Sequence, residues 1–124
     1  MAGKKDKIKD SERSSIIAKD LTRCYICGST DKVALHEAFY GNANRKKSKE
    51  DKMIFPICGP HHNLSSAGVH FNKELDLKLK KIAEKVWIAN YTSKDENIED
   101  RIDKFIKRYG KNYLDDEDLK NFSM

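Results

Sequence analysis

Two short spacings in this chain have the form of metal-binding knuckles. Cys24 and Cys27 make a C-x2-C pair, and Cys58 and His61 make a C-x2-H pair about thirty residues later. Zinc takes four sulfur or nitrogen ligands in a tetrahedron, and each tight turn can hold one pair at the right separation. The competing reading is a buried core thiol at Cys58 with Cys24 and Cys27 incidental. If zinc binds, it joins the start of a first strand to the start of a helix. His61 is followed at once by His62. Adjacent helical residues point about 100° apart, so His62 faces away from the site His61 serves and is available for a second one. His36 lies between the knuckles with Glu37 beside it, and His70 follows eight residues after His62. An imidazole near a bound cation suits general-base or ligand chemistry.

The elements that must position these residues follow from composition and pattern. The chain has 124 residues, 38% hydrophobic and 36% charged, with net charge +5 and pI near 9.0. That suggests one domain with a thin core that a metal would staple. Three cysteines, an odd number, fit a reduced metal site better than a disulfide framework. No apolar run reaches about 18 residues, so neither a membrane span nor a secretory signal is expected and the cytoplasm is the expected compartment.

Residues 1–15 are polar and lysine-rich and read as a flexible basic arm. "IIAKDL" reads as a short helix or turn. "VALHEAFY" alternates as a strand, and "MIFPIC" is a second one that Pro56 restricts to an edge or bulge. Between them "GNANRKKSKEDK" has no apolar residue larger than Ala43 and reads as an exposed basic loop. Gly59 and Pro60 open a helix, with "HHNLSS" as its first turns and Gly68 as an interruption. "NKELDLKLKKIAEKVWIANY" is a strong amphipathic helix, striped by Leu75, Leu79, Ile82, Val86 and Ile88 or Ala89. Trp87 and Tyr91 read as core residues on it. "SKDENIEDRIDKFIKRYG" is another helix, with Ser93 and Glu96 as a capping box, Gly110 as C-cap, and a stripe of Ile98, Ile102, Phe105, Ile106 and Tyr109. The domain therefore spans 16–114, and 115–124 is an acidic tail.

Together, "CYIC", "LHEAF" and "FPICGPHHN" with a following His resemble the HNH, or ββα-metal, nucleases in the zinc-knuckle form carried by many bacteriophages. "PICGPHHN" followed by a helix and "FIKRYGKNYL" is similar to phage recombination-associated, RecA-dependent HNH-like nucleases. The resemblance covers about residues 24–72, with a weaker echo near residue 110.

The resemblance implies an α+β fold: a small ββα-metal core with a zinc knuckle and added C-terminal helices over about 72–110. It implies a metal-dependent DNA endonuclease or nickase for phage DNA processing or recombination, with DNA and a phage DNA-processing or recombination protein as partners. Structural zinc would sit on Cys24, Cys27, Cys58 and His61, and catalytic Mg²⁺ or Mn²⁺ on His62 and His70, with Asn63 able to orient the phosphate. His36 falls on the general-base position. Leu35 stands before it where the family usually has Asp or His, and Glu37 follows. The roles of His36 and Glu37, base and ligand, could therefore be exchanged. The family's middle Asn has no counterpart just before the second strand, where Asp51, Lys52 and Met53 stand. Arg45, Lys46, Lys47 and Lys49 would hold the DNA backbone with marked salt sensitivity and little sequence reading. Two alternatives remain: a non-catalytic zinc-knuckle DNA-binding protein that keeps the fold, and a structural zinc domain that binds a protein through its C-terminal helices.

Overall fold

The computed structural model describes residues 14–59 and 72–120. Most of the expected arm lies outside them. So do the helix expected from Pro60, the residues His61, His62, Asn63, Gly68 and His70, and the last four residues of the tail. Among the described residues the order is β1 (Ala34–Glu37), α1 (Asn42–Glu50), β2 (Ile54–Ile57), α2 (Lys73–Tyr91), α3 (Ile98–Tyr109) and α4 (Asp116–Lys120). This is an α+β arrangement.

The two strands pair antiparallel, with His36 opposite Phe55 and Leu35 opposite Pro56. Pro56 costs the ladder nothing, because its side of β2 faces outward. There its carbonyl accepts the Tyr25 N–H at 2.7 Å, and the Ile54 carbonyl accepts the Ser15 hydroxyl at 2.6 Å. The chain before β1 thus covers the open edge of β2, which is buried at all four residues.

The basic stretch expected as a loop is instead α1, nine residues long. Apolar periodicity could not show it, because its inward face docks through polar groups. Ser48 is buried, donating to the Phe39 carbonyl at 2.6 Å and accepting the Phe39 N–H at 3.0 Å. Asn44 Nδ2 reaches the Tyr109 carbonyl at 3.1 Å, and Lys47 Nζ the Arg108 carbonyl at 2.8 Å. Arg, Lys and Glu are good helix formers, and Lys47 and Lys49 sit in the last turn, where the helix dipole favours cations.

Asp51 follows α1 and gathers the domain. Its carboxylate accepts Trp87 Nε1 at 2.8 Å and the Tyr109 hydroxyl at 2.7 Å, and it holds Arg108 in a two-pronged contact at 2.9 and 3.0 Å. Its carbonyl accepts the Tyr91 hydroxyl at 2.8 Å. Above this network Phe39, Phe105, Trp87 and Tyr109 pack ring to ring, with Phe39 4.4 Å from Tyr109 and 5.2 Å from Phe105.

The two long helices lie where their patterns put them. On α2 the buried residues are Leu79, Ala83, Glu84, Trp87 and Ile88, so the stripe is turned slightly from the expected one; Ala89 is exposed, and so is Tyr91, expected in the core, whose hydroxyl instead reaches the Asp51 carbonyl. On α3 Ile102, Phe105 and Tyr109 are buried, and Gly110 ends the helix at φ 88°. The expected capping box forms a turn one step earlier: Glu96 accepts the Ser93 N–H at 2.9 Å, while the N-cap is Asn97, which accepts the Asp100 N–H at 2.8 Å. Arg101 is buried across the C-terminal end of α2, donating to Thr92 Oγ1 at 2.6 Å and the Ile88 carbonyl at 3.1 Å.

The start of the acidic tail is docked: Lys81 pairs with Asp118 at 2.8 Å, and Leu119 packs partly buried against the core. Just before it Leu114 is buried, and Glu84 on α2 accepts the Tyr113 N–H at 2.7 Å. Burial pushes Glu84 up to about 7 from the ordinary 4.5; the Tyr113 N–H opposes this, and Asp118 adds to it.

Asp51→Ala leaves a guanidinium, an indole N–H and a phenol without their acceptor. It is expected to lower unfolding free energy by about 3 kcal/mol in urea denaturation; a loss below about 1 kcal/mol would be that of an ordinary surface contact. For Glu84 the folded chain keeps a proton that the unfolded chain releases between pH 4.5 and about 7. Its contribution is full below pH 4.5 and is lost as pH rises through about 7. The stability of Glu84→Gln relative to wild type should therefore grow by about 2 kcal/mol from pH 5 to pH 8. A gap that stays flat or shrinks over that range contradicts the raised value.

Candidate metal centre and the His36 face

Cys24 and Cys27 flank a tight reversal. The Gly28 N–H returns to the Cys24 carbonyl at 2.8 Å, the Cys24 N–H reaches the Ser29 carbonyl at 2.8 Å, and Gly28 takes φ 78°, which a side chain would resist. The Tyr25–Pro56 hydrogen bond docks this turn on β2, with the Tyr25 ring edge-on to Phe55 at 4.9 Å. Cys58 follows β2 directly, so docking the turn brings the third sulfur to the other two. The three sulfurs lie within 4.8 Å of one another, with Cys27 Sγ 3.7 Å from Cys58 Sγ. Cys24 and Cys58 are buried and Cys27 is exposed.

The surroundings favour thiolate. Burial pushes the Cys24 thiol up, but the backbone N–H groups of Cys58, Cys27 and Ile26 outweigh it and bring the thiol down to about 6. The Ile26 N–H stands 3.4 Å from the sulfur. Three converging sulfurs, one of them already thiolate-prone, fit a thiophilic ion and could hold one, leaving room for a fourth ligand. His61, the fourth ligand expected, lies outside the described residues, as do His62 and His70.

His36 and Glu37 point to opposite faces of β1, as an extended strand requires. His36 is 3% exposed, with its ring edge-on to Tyr40 at 5.7 Å. Glu37 faces Lys49 on α1, at 3.6 Å. The two side chains therefore do not converge on one point. The four basic residues separate as well. Arg45 and Lys46 are exposed, while Lys47 binds the Arg108 carbonyl and Lys49 pairs with Glu37. Sequence reasoning missed Tyr40, because nothing in its type or spacing marks it as the neighbour of His36. Asp51 had one weak signal: a lone acid at the end of a basic run, immediately before a buried strand.

Comparison with models of known families, with curated proteins and with solved structures gave no match. Among the described residues no helix is long and apolar enough to cross a membrane.

Cobalt titration reads the metal centre directly, through thiolate-to-metal absorption. Cys27→Ser removes the exposed ligand and should weaken Co²⁺ binding by more than the ~10-fold that loss of an outer-shell partner costs. Binding should also fall as pH drops through about 6, where Cys24 takes up its proton. Equal affinity in wild type and Cys27→Ser would remove this cluster as a metal site.

Proposed function

We propose that the protein is a zinc-stapled, metal-dependent DNA endonuclease or nickase of the ββα-metal (HNH) type, used in phage DNA processing or recombination. The observation that supports it is the pairing of β1 with β2, which presents His36 mid-strand while Cys24, Cys27 and Cys58 converge at the end of β2. In the sequence "GPHHN" follows Cys58 directly. His61 would complete the zinc tetrahedron.

Of the two candidate bases, His36 is favoured. Glu37 lies on the opposite face with Lys49 as its counter-ion. His36 would take a proton from the water that attacks the scissile phosphate. His62 and His70 would hold the catalytic cation, which when bound neutralises the phosphate and stabilises the leaving 3′ oxygen. Arg45 and Lys46 are the exposed members of the basic stretch and would meet the backbone without reading bases.

The second reading, a DNA-binding protein without catalysis, draws on the burial of His36: at 3% exposure a phosphate reaches it only if the surrounding side chains shift.

A plasmid-nicking assay with Mg²⁺ or Mn²⁺ separates the two. Wild type is expected to nick, and His36→Ala and His62→Ala to lose about 100-fold or more of that rate, the contribution expected of a general base or a metal ligand. Clean wild-type protein that nicks under no divalent metal ends the enzyme reading. Protein purified without added zinc should carry one equivalent, held by an apparent binding free energy on the order of 10 kcal/mol.

A further inference from the structure

A cleft of about 420 Å³ opens between Tyr40, three residues after β1, one face of α2, and the segment after α3. Lys73, Asp76, Leu77 and Lys80 line it from α2, at helical steps of three and four, and Lys111 and Tyr113 close the other side. Its floor is held in place by Lys80. That ammonium pairs with Asp76 at 2.7 Å and lies over the Tyr40 ring at 4.3 Å and the Tyr113 ring at 5.5 Å. The Asp76 carboxylate in the lining is thus matched by Lys80. Lys73 and Lys111 are exposed and have no carboxylate partner among the described residues. The lining therefore carries net positive charge, with the exposed side chain of Leu77 as its apolar member. Tyr40 also touches the His36 ring, so one aromatic ring separates the cleft from His36.

We propose that this cleft is a phosphate subsite for a nucleic-acid strand, with Lys73 and Lys111 as its cations and the attached nucleoside against Leu77. The volume lies in the range of small-ligand sites and suits a single nucleotide. The assignment rests on the nucleic-acid reading above and moves part of the strand's path. With Lys47 and Lys49 engaged inside the fold, the cleft supplies further exposed cations, and it shares Tyr40 with His36.

The test is the binding of a fluorescein-labelled single-stranded oligodeoxynucleotide to the full chain across a salt series. Lys73→Gln/Lys111→Gln should bind about tenfold more weakly, with a salt slope shallower by about 0.7 for each phosphate no longer neutralised. Lys19→Gln/Lys94→Gln, with the same charge removed from exposed positions elsewhere, should bind as wild type does. Both pairs lie on the surface, so an unchanged thermal midpoint checks folding. Three results overturn the subsite: no binding by wild type, equal binding by the two double variants, or a drop in polyglutamate binding as large as the drop in oligonucleotide binding. Nicking is read separately. Protein that never nicks, yet binds the strand through Lys73 and Lys111, loses the nuclease reading and keeps the subsite. Protein that nicks, with both double variants binding alike, keeps the nuclease and loses the subsite.

Discussion

The carboxylate of Asp51 joins stretches of chain that are 36, 57 and 58 residues apart, through Trp87, Arg108 and Tyr109. Each donor is large and amphipathic, so the same contacts that satisfy the acid also pull aromatic area into the core. A carboxylate with this many strong donors is stable where it lies only because none is missing; removing the acid would leave several polar groups poorly solvated at once. The placing of α2 and α3 against the strand pair therefore depends on one residue in the connection between α1 and β2.

The short strand that follows Asp51 is held at both ends. At its start is the Asp51 network. At its end is Cys58, where three sulfurs converge. Along its outer edge run the hydrogen bonds from Ser15 and Tyr25. A pair of four-residue strands is too small to be stable by itself, so β2 depends on the core that buries Met53, Phe55 and Ile57 as well as on these contacts. Polar clamps along its edge and burial of all four of its residues do what a larger sheet would do by area, and β1 takes its position, His36 included, from this anchored partner.

What the sequence revealed follows from the kind of contact each element makes. The helices α2 and α3 were legible because they bury apolar residues at helical spacing, and Gly110 marks the end of α3 chemically; its start reads too early, at Ser93, because Asn97 rather than the Ser93–Glu96 pair is the N-cap. The cysteines were legible because knuckle spacing is local. The helix α1 was not, since its buried face is Ser48, Asn44 and the stem of Lys47, and a hydrophobic pattern cannot register hydrogen bonds to carbonyls more than sixty residues away. Asp51 was hidden for the same reason: an acid looks like surface until its distant donors are known. The split between His36 and Glu37 was half legible. Strand geometry sends them to opposite faces, but only the Lys49 contact shows what Glu37 faces.

The basic charge of the chain is easily misread as a uniform affinity for polyanions. Lys47, Lys49, Lys80, Lys81 and Arg108 all have partners within the fold: a carbonyl and a carboxylate for the two lysines of α1, ion pairs for the two on α2, and the Asp51 fork on α3. These cations are ordered in fixed geometries, and leaving them would cost both hydrogen bonds and packing of their stems. The attraction open to a nucleic acid, were one to bind, would fall instead to cations such as Arg45 and Lys46 on α1, Lys73 on α2 and Lys111 after α3, which are exposed. Net charge would set how strongly a strand is drawn to such a protein at a distance, but the cations not tied into ion pairs or carbonyl contacts would decide where it came to rest.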